Sequence, residues 1–388
     1  MSFLKSFGKS VIIAFNQNIF FYHEEKSWSH RISLEVPIEK GRPRKYFDAD
    51  SDSENEDVQN KNSNCNVNNA HVVGMDVHDA KSLLAIATSD KSLYLYAIVD
   101  IDGCGGQLKL LSRRLVSRTS SCLKFSADGN FLLVCDKGGD CYKYDCEKSK
   151  NPGLWLFGHM SQILDILINS DDSLIVTCDR DEKIRITNYP DCHNIETFCL
   201  GHSEFVSHIE FLKDDEDLLL LSLSGDKTMR LWNVEDGKEQ AKKECDQAGN
   251  KLAVKDLGDG QSLIAMLCYP PTTISVYVLT EGLSKWDFLK GINAKSNHIY
   301  SSLTFDSASN LLALTIDEKS ELVSINVFQF NRENFSFREN DTSSQKISEM
   351  ISNCKLSYTD SVSFLFKKKF DNIKNYHERK RKRLEVKS

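Results

Sequence analysis

The chain is 388 residues long, 40% hydrophobic and 27% charged, with a formal net charge of −7 at pH 7. That is long and apolar enough to bury a large core, and no run of 18 or more apolar residues marks a membrane-crossing helix. From Lys367 to Ser388 ten Lys or Arg face three acids, a net of +7 that leaves −14 in the rest, and so acidic a body argues against a broad nucleic-acid surface.

The chain opens on MSFLKSFGKSVIIAFNQNIF. Its apolar patch lacks the long h-region and small-residue cleavage site of a signal peptide, so it is read as mature sequence. The segment KGRPRKYFDADSDSENED, residues 40 to 57, then switches from basic to acidic and runs into the Asn-rich KNSNCNVNN. Low hydrophobicity and block charge predict a disordered loop there. Residues 1–46 are therefore assigned to N-terminal strands and 47–70 to an acidic insert. KGRPRK suits nuclear import, and Ser51 and Ser53, each with an acid three residues on, suit an acid-directed kinase.

From residue 71 a repeat governs the chain. Asp90, Asp136, Asp181 and Asp226 follow one another at steps of 46, 45 and 45 residues, and the same step lands on Pro271 and Asp317. Six residues after each marker stands an aromatic or branched residue: Tyr96, Tyr142, Thr187, Trp232, Tyr277 and Val323. A weaker copy, AFNQNIFFYHEE, carries Asn16 and Tyr22. Between these marks the sequence reads as short strands of period two, broken by turns such as SADGN and SDDS. Gly158-His159 and Gly201-His202 stand 43 residues apart. A unit of that length with four strands, a Gly-His near its start and a Trp late in its third strand is the WD-repeat signature. The expected fold is all-β: a seven-bladed propeller over 71–360 plus the N-terminal strands, followed by a short basic helix or tail over 361–388.

The repeat assigns His202, Ser222, Asp226 and Trp232 to a buried hydrogen-bond chain, because buried polar groups come as paired sets. A His, a Ser and an Asp also suggest a catalytic triad, but the repeat accounts for them without one. The preceding copy, TCDRDEKIRITN, keeps His159, Thr177 and Asp181 but has Thr187 in place of the Trp. Its turn is expected to be less tied down, and it is crowded with charge.

Two further features are read as structural. Twelve cysteines with no CxxC pair suit buried free thiols in a reducing compartment better than a zinc site. DGCGGQ, from residue 102, has its glycines between strands rather than between a strand and a helix, so it is a turn and not a nucleotide loop. At the end, Phe366, Phe370 and Ile373 fall at helical spacing with bases on the other faces. The run Arg379, Lys380, Arg381, Lys382 and Arg383 suits nuclear import, or contact with tRNA phosphates, and the two are compatible.

The stretch from 158 to 211 carries DRDEKIRI, then YP, then IETFCLGHSEFVSHI. It resembles the signature region of the WD-repeat, non-catalytic subunit of the eukaryotic tRNA guanine 7-methyltransferase; outside 158–233 the likeness is one of propeller layout. The resemblance implies a propeller that does no chemistry. It would dock on, stabilise and position a separate Rossmann-type subunit, which binds S-adenosylmethionine and methylates a variable-loop guanosine of tRNA; the expected compartment of this chain is the nucleus, with the cytoplasm as the alternative. Carried over by position, the docking residues are Asp181, Glu182, Lys183 and Arg185, with Arg180 flanking. Because Lys183 and Arg185 alternate with Ile184 and Ile186, both bases are expected on one face of a strand. No cofactor and no metal is expected on this chain. The competing readings are a general nuclear WD scaffold, such as a chromatin or ubiquitin-ligase adaptor, and an enzyme built from convergent channel acids or histidines.

Overall fold

Every turn marker of the repeat falls in or at the edge of one kind of turn, that between the second and third strands of a four-stranded antiparallel sheet. The computed structural model describes residues 2–22, 27–32, 70–100, 106–148, 151–213, 218–280, 285–352 and 354–367. It contains seven such sheets, each a run of four consecutive strands, over residues 2–31, 72–115, 120–158, 163–199, 206–244, 248–293 and 298–339. The first strand of each sheet touches the first strands of its two neighbours, and the last touches the first. The chain is a seven-bladed propeller.

Each blade is packed between two others, so its middle strands are buried on both faces. Leu83–Thr88 and Phe131–Asp136 are buried at every position. The period-two pattern expected throughout is therefore lost in the middle of the blades. Outer strands such as Glu239–Glu244 lie mostly in water.

Ring closure uses no exchanged strand: the first blade is built wholly from Ser2–Phe7, Ser10–Phe15, Asn18–Tyr22 and Ser27–Arg31, and the seventh from residues 298–339. The seam is held by packing and by a few polar bridges. Ser2 Oγ lies 2.5 Å from Ser301 Oγ, and Lys251 Nζ donates to the carbonyls of Ser2 at 3.1 Å and Ser301 at 3.0 Å. Leu4, Val11, Ile13 and Phe15 share one buried cluster with Leu312, Leu314 and Ile316 across it.

A helix reinforces the same seam. The outer strand of the seventh blade, Ser336–Glu339, is only four residues long and pairs with Phe328 to Asn331 alone, which leaves the outer edge of the first part of the third strand, Val323–Asn331, uncovered by it. The chain then turns into α1, Asp341–Ile351, whose N-cap Asn340 accepts from Ser343 N. Ser344 and Ser348, one turn apart, accept the N–H groups of Val327 at 2.9 Å and Ile325 at 3.0 Å. Ile347 and Ile351 enter the seam cluster beside Phe20 and Val11. The blades thus end at Glu339 rather than at 360, and the one helix among the described residues lies ahead of the basic tail. Residues 361–367 form turns, and the rest of the expected helix, with Phe370 and Ile373, lies outside the described residues. So do the acidic insert, Ser51, Ser53 and KGRPRK.

After α1 the chain runs as a strap over the face that carries the second-to-third-strand turns. Asn16 Nδ2 donates to Lys355 O at 2.8 Å, Leu356 N to Glu321 O at 2.9 Å, and Tyr269 OH to Asp360 Oδ2 at 2.8 Å. Val362 and Leu365 pack on Phe205, and the Phe366 ring meets Phe205 edge-on at 5.0 Å. With the first strands, residues of the strap line a central cavity of about 440 Å³.

Candidate partner-docking site

In the fourth blade the turn between Leu174–Asp179 and Ile184–Asn188 carries the charged run. Asp179 is its keystone. It is 2% exposed, and its Oδ1 accepts the N–H groups of Asp181 at 2.9 Å and Lys183 at 3.1 Å. Its Oδ2 takes His159 Nδ1 at 3.0 Å, and His159 Nε2 meets Thr177 Oγ1 at 2.8 Å. Glu182 holds φ +66° to close the turn. The carboxylate that binds His159 is therefore Asp179 and not Asp181, two residues later, and the turn is tied down rather than loose.

The fifth blade shows the chain with its aromatic in place. His202 Nδ1 lies 2.9 Å from Asp226 Oδ2 and Nε2 2.8 Å from Ser222 Oγ, which also accepts Trp232 Nε1 at 2.8 Å. Burial lowers the pKa of both His159 and His202, favouring neutral rings that donate from Nδ1 and accept at Nε2. Burial, the largest single influence, would raise the Asp226 carboxyl, but His202 together with the hydrogen bonds from Thr228 Oγ1 and Ser203 N outweighs it and holds the group well below the usual carboxylate range. A Ser222→Ala chain leaves both the Trp232 N–H and His202 Nε2 without a partner. It should lose about 2 kcal/mol or more of unfolding free energy in urea, and a loss under about 0.5 kcal/mol would show that the chain adds nothing to stability.

The five charged candidates divide into two pairs and a single residue. Asp181 and Lys183 are exposed and make no ion pair among the described residues. Arg180 and Glu182 are half-buried under the strap: Arg180 Nη2 donates to Phe364 O at 2.9 Å, and Glu182 pairs with Lys367, whose N–H donates to Glu204 Oε2 at 3.0 Å. Arg185 is 8% exposed. Its guanidinium lies over the Phe157 ring at 4.5 Å and Nη1 donates to Gly158 O at 3.1 Å, while Nε and Nη2 are buried without a partner among the described residues. Desolvation lowers its pKa.

Lys183 and Arg185 thus do not share an outward face. Lys183 belongs to the turn, where strand alternation has not begun, and all of Ile184, Arg185, Ile186 and Thr187 are buried because the blade is covered on both sides. The basic run Arg379, Lys380, Arg381, Lys382 and Arg383 lies outside the described residues.

Two acids of the first strands, Asp76 and Asp165, are engaged between blades. Asp76 Oδ2 accepts Phe125 N at 2.9 Å, and its other oxygen faces Lys5 at 3.4 Å and Lys124 at 3.8 Å. Asp165 Oδ2 accepts Ile209 N at 3.1 Å and pairs with His208 at 2.9 Å. These carboxylates tie neighbouring first strands together and do not converge as an acid–base pair. The ten described cysteines are free, and no group of three or more His, Cys, Asp or Glu is placed to hold a metal among the described residues.

Sequence reasoning missed the keystone Asp179, although its place after Thr177 in an apolar strand was a signal. It also missed the strap, whose Glu204–Lys367 and Arg180–Phe364 contacts join residues more than 160 positions apart.

The model of the tRNA methyltransferase TRM82 WD40 domain matches residues 22–154 and 145–351. The tRNA (guanine-N(7)-)-methyltransferase non-catalytic subunit wuho of Culex quinquefasciatus is 51% identical over 403 residues, covering 99% of this chain and 98% of that protein. Its namesake of Aedes aegypti is 52% identical over 400 residues, with 99% and 97% covered. Among solved structures, a chain of the crystal structure of the mitotic checkpoint complex superimposes with a TM-score of 0.58 over 80% of this chain and 85% of that one. At 13% identity that likeness speaks for the fold alone. Matched along nearly its whole length, the chain belongs to the TRM82 WD40 family, that of the non-catalytic subunits of tRNA (guanine-N(7)-)-methyltransferase.

Proposed function

We propose that this chain is the non-catalytic half of a heterodimer, docking through the turn of its fourth blade on the catalytic tRNA guanine 7-methyltransferase subunit. That subunit would bind S-adenosylmethionine and methylate a variable-loop guanosine of tRNA, while the propeller stabilises and positions it. The names of the relatives support the role. The observation that carries the docking site is a rigid turn with unspent charge: Asp179 fixes the loop from below, and Asp181 and Lys183 stand in water above it. A preorganised charge pair on an exposed turn steers a partner with little ordering cost. The basic tail, Arg379 to Arg383, would follow tRNA phosphates once the complex forms and would serve import to the nucleus.

The test is formation of 7-methylguanosine in tRNA by this chain, by its host's catalytic subunit, and by the two together. Activity should be high only in the pair. Lys183→Glu should weaken association at least about tenfold, a loss of about 1.4 kcal/mol, with the urea midpoint of the free propeller unchanged because the side chain is already in water. Wild-type association by a folded Lys183→Glu chain would remove the turn from the interface. Failure of the wild-type pair to associate would remove the function itself.

A further inference from the structure

We propose that the docking surface is anchored by three exposed apolar side chains set around the charged turn, Met160, Leu200 and Phe364, which seat in an apolar patch of the catalytic subunit. The inference rests on the docking reading above and names the residues that supply its affinity.

Three separate pieces of chain bring these side chains to one place. Met160 follows His159, whose ring is bound to Asp179 at the base of the turn at 3.0 Å. Leu200 follows Cys199, the register partner of Ile184, and so lies beside Lys183. Phe364 rides on the strap, with its carbonyl held by Arg180 Nη2 at 2.9 Å. In a four-stranded antiparallel blade the loop leading into the next blade opens on the same face as the turn between its second and third strands, so all three side chains and the turn share one surface.

The exposure of Met160 and Leu200 is out of keeping with the rest of the molecule. Met160 is 99% exposed and Leu200 65%, the two most exposed large hydrophobic side chains among the described residues; Phe364, at 50%, is as exposed as Leu154 elsewhere and joins them by its position. Apolar side chains gathered in water mark a contact site. Here they border Asp181 and Lys183, which make no ion pair among the described residues, giving apolar anchors beside polar groups, the make-up of an interface hot spot. The occupant is a protein rather than RNA. Methionine and leucine donate nothing to phosphate, Asp181 sets an exposed carboxylate beside them, and Lys367 is already engaged by Glu182 and Glu204. The complementary patch on the catalytic subunit would be apolar, with an acid placed to meet Lys183 and a base to meet Asp181.

The test is calorimetric titration of the host's catalytic methyltransferase subunit with full-length Met160→Glu, Leu200→Glu and Phe364→Ala chains. Each Glu variant should weaken Kd at least about tenfold, and Phe364→Ala about threefold or more, since its backbone carbonyl still holds Arg180. Urea midpoints should be unchanged. Should a Glu variant unfold, Met160→Ser and Leu200→Ser take its place, with a loss of at least about threefold expected. Binding within about twofold of wild type by all of these, while Lys183→Glu releases the subunit, would overturn the apolar anchor and leave charged-turn docking standing. Variants that keep the subunit but lose tRNA affinity in the complex would overturn it in favour of an RNA surface. A wild-type chain that does not bind the subunit would overturn both readings.

Discussion

An Arg185→Glu propeller should unfold in urea with about 3 kcal/mol less stability than wild type, the scale of an uncompensated buried charge. Arg185 is buried and solvated by protein alone: its guanidinium rests on the Phe157 ring at 4.5 Å and Nη1 reaches Gly158 O at 3.1 Å. A glutamate there would face that carbonyl with a second acceptor and bring its charge towards Asp179, which already serves His159 and two turn amides. The fourth blade would loosen where the turn proposed for docking is rooted, so association with the catalytic subunit should fall in step with the fold. Lys183→Glu separates the two roles, since it should lose association with no loss of stability. The pair distinguishes a residue that positions the turn from one that touches the partner. An Arg185→Glu chain as stable as wild type, yet unable to associate, would restore Arg185 to the contact surface.

That division was only partly legible in the sequence. The repeat could be read because the turn aspartates and third-strand residues do the same work in each blade, and periodic work leaves a period. The blade chain of His202, Ser222, Asp226 and Trp232 could be read for the same reason. The fate of Arg185 could not. Period-two alternation tells one side of a strand from the other, but a strand covered on both sides buries each, and only the neighbouring blades decide that. The swap of Asp181 for Asp179 was hidden because either carboxylate reaches the histidine from the turn, and the choice depends on where the turn tightens, here at Glu182 with φ +66°. The helix was legible in principle. Asn340 caps a stretch with Ile347 and Ile351 four apart, a local signal that the surrounding strands obscured. The strap's path was not, because nothing local in residues 352–367 says which blades they cross.

Ile351→Ala should cost about 2–5 kcal/mol, and the loss should be felt first in the blades at the two ends of the chain. Ile351 is fully buried in the cluster that spans the seam, with Val11, Ile13 and Phe20 from the first blade and Val323, Ile325 and Val327 from the seventh. A propeller that closes by sharing a strand would bridge that seam with a ladder of backbone hydrogen bonds. This one has side-chain packing, the Ser2–Ser301 contact, Lys251 and the helix in its place. A cavity under α1 should therefore lower the free energy of opening between the first and seventh blades more than that between the third and fourth. Amide exchange reads the difference directly: protection should drop across Ser10–Phe15 and Leu311–Asp317 while Phe131–Asp136 keeps its wild-type value. Protection lost only within α1 itself would mean that the helix merely covers the seam, and that packing of the first strands alone holds the ring shut.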